Sequence, residues 1–138
     1  MSLDAGSDLF KAVRAALLAD TYLVTQLGNR VFSTWDNQDV ATPMIRMSAP
    51  VSRMYEIDGA GEGSDTDLWV HVFTAESSTL VCRAIATKVR ALLGGNDLAL
   101  DGSNTVAIDY RDTLMRRDDT SPLLQIAIVR FRALTTTK

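Results

Sequence analysis

The sequence predicts an α+β domain: a mostly antiparallel sheet of four to five strands with helices packed on one face. Three observations carry that prediction. Apolar residues recur at helical spacing near the N-terminus and again over residues 78–93. Runs rich in β-branched and aromatic residues fill 44–57, 66–74, 105–115 and 122–134. Clusters of Gly, Asn, Asp and Pro punctuate the joins.

Taken in order, Ser7 or Asp8 can cap a first helix over 8–19, where Leu9, Phe10, Val13, Ala16 and Leu17 form the stripe and Lys11 and Arg14 lie off it. Asp20 or Thr21 caps a second, short helix through Leu27, which Gly28 and Asn29 end. From Pro43 the period changes to an extended run broken at Pro50, which cannot donate to a ladder. Residues 58–65 read as an acidic, glycine-rich hairpin tip before the strand at 66–74. Ser77 or Ser78 then caps a helix with Val81, Ala84, Ile85, Val89 and Leu92 on one side, Arg83, Thr87 and Arg90 on the other, and Gly94-Gly95 at its end. Leu98–Leu100 is a short strand, and the chain closes with a hairpin of two long strands joined through 116–121.

With 138 residues and 15.1 kDa, the chain is expected to be a single domain, 1–138. Its 46% apolar and 22% charged residues are ordinary for a packed soluble protein. Fourteen basic against 17 acidic residues leave a formal charge of −3, which argues against gripping nucleic acid through overall charge. One cysteine excludes an intrachain disulfide, and one histidine with it excludes a Cys/His metal cage, so no metal or cofactor is expected. The start of the chain has no basic, then apolar, export pattern, and no run is long enough to span a bilayer; a reducing cytoplasmic setting is expected, with no membrane partner.

Single motifs weigh little. Gly59-x-Gly61-x-Gly63 lacks a following Lys-Ser/Thr pair and lies among Asp58, Glu62, Asp65 and Asp67, which would repel phosphate. Asp65 and Asp67 lack the spacing and closing Glu of a calcium loop. The tip (Asp58, Gly59, Gly61, Glu62, Gly63, Asp65) is therefore expected to be mobile, and its functional reading is a docking or channel-lining loop. His71 has no nucleophile motif beside it, and Cys82 adjoins a helix stripe, so both read as packed residues and no catalytic residue is expected. Trp35 reads as core or as a surface anchor.

The strands point to a partner. Leu68, Val70 and Val72 face one way and Trp69, His71 and Phe73 the other, and residues 123–131 are apolar on both sides. Two substantial helices cannot cover both faces, so part of one is expected to lie against another subunit. The mixed-sign turn Arg116-Arg117-Asp118-Asp119, with Arg130 and Arg132, reads either as a solvated hairpin end or as a complementary-charge rim between neighbouring subunits.

Several segments together resemble the tail-completion and tail-terminator proteins of long-tailed phages and phage-derived gene transfer agents. They run from Phe10–Asp20 and Gly28–Val31 through Thr42–Ile45 to Leu68–Phe73, Ile85–Leu93, Leu98–Gly102, Arg116–Asp118 and Val129–Leu134. Where family members often carry a Gly in the 116–121 turn, this chain has Asp119-Thr120-Ser121-Pro122. The resemblance implies a non-enzymatic virion protein that ends the tail tube as a homo-hexameric ring and meets a head-side connector. DNA would pass through the ring without specific binding, and the protein would move from the cytoplasm into the head-proximal tail. The alternatives are a connector or stopper protein of the same particle and, from another class, a small α+β enzyme.

Overall fold

The structure, a computed structural model, describes residues 5–32, 42–57, 61–75, 80–95, 97–99, 105–117 and 124–136. The described helices are α1 (Ala5–Leu18), α2 (Thr21–Leu27) and α3 (Leu80–Leu93). The described strands are β1 (Val31–Phe32), β2 (Met44–Ile57), β3 (Gly61–Ala75), β4 (Asp97–Ala99), β5 (Thr105–Arg117) and β6 (Leu124–Thr136). They form one sheet in the order β1-β2-β3-β6-β5-β4, antiparallel except for the parallel β1–β2 pair.

The α+β class and the antiparallel frame are as the sequence predicts, with β1 as an additional edge strand. That two-residue strand owes its place to arginines. The Arg14 Nε on α1 donates to the Val31 carbonyl at 3.0 Å, and the Arg30 carbonyl accepts from the Ile45 N–H at 2.9 Å. The Arg30 side chain donates in turn to the Pro43 and Gln26 carbonyls, tying the end of α2 to the start of β2.

Local signals place most of the elements. Asp20 caps α2 with extended dihedrals, accepting from the Leu23 N–H at 3.0 Å, and it also pairs with Lys88 of α3 at 3.2 Å. Burial pushes its carboxyl upward, but the Leu23 N–H and Lys88 outweigh that and hold it below the ordinary carboxylate range. Gly28 ends α2 at φ 62°, a conformation that an L side chain rarely takes. At the end of α3 the packing is tighter. A Cβ on Gly94 would lie 2.8 Å from the Arg90 carbonyl oxygen and 3.3 Å from Tyr110 Cβ. Gly95, at φ 75°, donates to the Ile108 carbonyl and joins the helix to β5.

Several boundaries differ from expectation. Helix α1 begins at Ala5, so Ser7 and Asp8 lie within its first turn instead of capping it. The buried side of α3 is Cys82, Ile85, Ala86, Val89 and Leu93, while Ala84 is exposed. The stripe is rotated toward the small residue Cys82, whose thiol lies 3.8 Å from the Val72 carbonyl of β3. Caps at Ser77 or Ser78 lie outside the described residues. Pro50 does not end its strand: β2 runs on to Ile57, with the register shifting between Ser48 and Val51, which is how a long strand accommodates a residue without an N–H.

The acidic tip needs the largest correction. Gly61, Glu62, Gly63 and Asp65 are not loop but the first turns of the β3 ladder, with Gly61 opposite Ile57, Glu62 opposite Glu56 and Asp65 opposite Arg53. Gly63 is buried and also pairs with Thr136 of β6, so β3 is held from both sides along this stretch. Pairing with two neighbours overrides the weak strand propensity of glycine and acids. Asp58 and Gly59 lie outside the described residues.

The three described helices lie on one face. Leu9, Val13 and Leu17 of α1, Leu23 and Leu27 of α2, and Ile85, Val89 and Leu93 of α3 meet Ile45, Met47, Leu68, Val70, Val72, Val129 and Phe131 in one solvent-free core. Helix α1 touches β1, β4 and both other helices.

Candidate functional site: the open face of the sheet

Alternation sends the other half of the side chains to the face away from the described helices, where Arg46 and Ile128 are buried and Trp69, His71, Phe73 and Ile126 are partly so. Trp69, His71 and Phe73 form a ladder on β3, with ring centroids 6.2 Å and 6.4 Å apart in succession. The register places Ser48, Arg46 and Met44 beside them on β2, and Arg130, Ile128 and Ile126 beside them on β6. The Arg46 guanidinium stands 5.5 Å from the Phe32 ring, and Leu114 of β5, opposite Ile128, is 42% exposed. Burial, opposed by the Arg46 backbone, lowers the His71 pKa, so this ring is neutral at pH 7 and suits an apolar contact.

Further along the same strands the face turns ionic. A groove of about 460 Å³ is lined by Arg53, Asp65, Asp67, Trp69, Arg111, Asp112, Arg130 and Arg132. Arg132 donates to both carboxylate oxygens of Asp65 at 2.9 Å and 2.7 Å, and Arg130 holds Asp112 in the same two-pronged way. These hydrogen bonds lower both carboxyl pKa values against a smaller opposing effect of burial. Arg130 also sits 5.6 Å over the Trp69 ring, which joins the ionic half of the face to the aromatic half. A bulge between Tyr110 and Asp112 aims Arg111 and Asp112 into the groove.

The residues singled out in the sequence are regrouped here. Arg116 and Arg117 are exposed at the end of β5, opposite Ile126 and Gln125, while Asp118 and Asp119 lie outside the described residues. Arg130 and Arg132 are not their neighbours: Arg130 sits opposite Asp112, four residues from Arg116 along β5. Instead Arg132 pairs with Asp65, so one member of the proposed rim meets one member of the proposed docking loop across β3 and β6. Sequence reasoning missed Asp112, Arg53 and Arg111, and weighed Asp67 only as a phosphate-repelling acid and a rejected calcium ligand. The signal available was alternation, Asp65-x-Asp67-x-Trp69 against Arg130-x-Arg132, which becomes a site only once the β3–β6 register is known.

Outside this face, Cys82 is buried, donates weakly to the Val72 carbonyl at 3.8 Å, and has its thiol pKa raised by burial, all features of an inert packed residue. No described helix is long and apolar enough to cross a membrane.

Comparison with known proteins gives two results. Residues 11–136 match the family model described as tail completion protein gp17. A chain from the virion of a native gene transfer agent particle superposes with a TM-score of 0.84 at 21% identity, covering 99% of this chain and 100% of that one. A search of curated proteins finds no match.

Proposed function

The chain belongs to the tail completion protein gp17 family, and from that premise we propose that it closes the head-proximal end of a tail tube as a homo-hexameric ring that meets a head-side connector. Family membership makes it a structural component of a phage-like tail; the ring, its position and its neighbours are the proposal.

The observation that carries it is the one-sided packing of the sheet. With the described helices on one face, the partly buried Trp69-His71-Phe73 ladder, Ile126 of β6 and the exposed Leu114 of β5 supply apolar surface for contact with another chain. The adjoining paired charges are suited to setting register more than to adding affinity. A head-to-tail contact of such a face with a different surface of the next copy closes by rotation into a ring. A net charge of −3 lets DNA pass without being held. The likeness to a gene transfer agent chain favours a DNA-carrying tailed particle as the setting, with assembly in the bacterial cytoplasm before incorporation.

Negative-stain microscopy of the purified chain mixed with tail tubes tests this. Rings seated on one end of each tube are expected. A chain that stays off the tubes and co-sediments with DNA-filled heads would replace the terminator reading by a connector or stopper.

A further inference from the structure

A second surface, on the helix side, is marked by cations without carboxylate partners among the described residues. Arg83 and Arg90 are exposed on α3 seven residues apart, which sets them two helical turns and about 10.5 Å apart on one side. They line a groove of about 260 Å³ between α3 and β5 with Thr87, Tyr110 and Thr113. Its lining includes no acidic residue, and neither arginine has a carboxylate partner among the described residues. The Arg90 guanidinium lies 4.0 Å over the Tyr110 ring, and the Tyr110 and Thr113 hydroxyls are 2.8 Å apart. Two cations and three hydroxyl-bearing residues, Thr87, Tyr110 and Thr113, thus line one cleft.

The complement is in the chain itself. From Glu56 to Asp65 the sequence holds four acids and no base, and the register sets Glu56 opposite Glu62 at the end of the β2–β3 hairpin. Asp65 is already engaged by Arg132. The hairpin cannot fill its own copy's groove: Gly63 is level with Thr105, roughly 25 Å along β5 from Thr113, and the β2–β3 ladder runs on further away to the Ile57–Gly61 pair. We infer that the acidic end of the β2–β3 hairpin of one copy docks in the α3–β5 groove of the next, its carboxylates supplying the charge that complements Arg83 and Arg90. The inference deepens the ring reading and rests on it, because a hairpin end and a helix groove are different patches and their contact is head-to-tail.

The test uses the full-length chain and native mass spectrometry over a range of concentrations and salt. A groove variant (Arg83→Glu with Arg90→Glu) and a tip variant (Glu56→Lys with Glu62→Lys) should each associate at least about ten-fold more weakly than wild type, with unchanged thermal melts. Mixed in equal amounts, the two should assemble again, because each then meets an opposite charge at both contacts. Wild-type assembly should weaken as salt rises. Variants that assemble as wild type does, or a loss that mixing fails to restore, would overturn the docking while leaving the ring standing. A wild-type chain that assembles neither alone nor on tail tubes would overturn both.

Discussion

On the helix side of the sheet, Leu68, Val70, Val72, Ala127, Val129, Phe131 and Ala133 are fully sealed from solvent. On the opposite side of the same two strands, a run of aromatic rings adjoins a run of paired charges, and Trp69, His71, Phe73 and Ile126 are only partly buried. The two faces share a backbone and a register, so the difference lies in what covers them. The sealed face supplies the burial that drives folding. The open face retains apolar surface whose burial is available to assembly.

Substitutions separate the two roles, and the largest effect belongs to the sealed face. Ile85 is fully buried in α3, so Ile85→Asp places an unpaired carboxylate in the core and should cost more than about 4 kcal/mol. Loss of soluble, cooperatively melting protein is the expected readout, and a well-folded variant would mean that α3 packs through another side. Trp69→Ala comes next. It should leave the melt within a few degrees, because the ring is only partly buried, yet weaken self-association by ten-fold or more if Trp69 anchors the contact.

A smaller effect follows from the ionic half of the open face. Asp65 and Asp112 have folded pKa values depressed by Arg132 and Arg130. Their contribution is therefore complete above the ordinary carboxylate range and disappears as pH falls below about 4 through the depressed values. Because these pairs are largely solvated, the loss should appear as a modest drop in melting temperature in that window, abolished by Asp65→Asn with Asp112→Asn. The smallest stability effect is expected for Arg116→Glu with Arg117→Glu: two exposed residues at a strand end should move the melt by no more than about 2 °C. Failure of that variant to cap tails would place the end of β5 in an interface, and normal capping would remove it.

The same contrast explains what was legible in the sequence. The sealed face writes itself as period: the Leu9-Val13-Leu17 stripe, the Leu68-Val70-Val72 alternation and the Gly28 and Gly94-Gly95 stops are local signals, and the fold class follows from them. The open-face groove is assembled from β2, β3, β5 and β6, so its ion pairs depend on registers that no single segment encodes. Arg132 and Asp65 are 67 residues apart in the chain. Gly61–Asp65 misleads for a related reason: its composition favours a loop, and only the ladders on both sides make it strand. β1 escapes notice because two residues, held by Arg14 and Ile45, carry no periodicity.

The central claim is that the open face of the sheet is an assembly surface, and native mass spectrometry of the wild type beside Phe73→Asp tests it most directly. Phe73 stands on that face between Met44 and Ile126, outside the sealed core. The expected result is a wild-type species of six times the 15.1 kDa chain mass and a Phe73→Asp protein that is folded, with unchanged circular dichroism, but monomeric. A folded Phe73→Asp protein that forms the six-membered species as readily as wild type would contradict the claim.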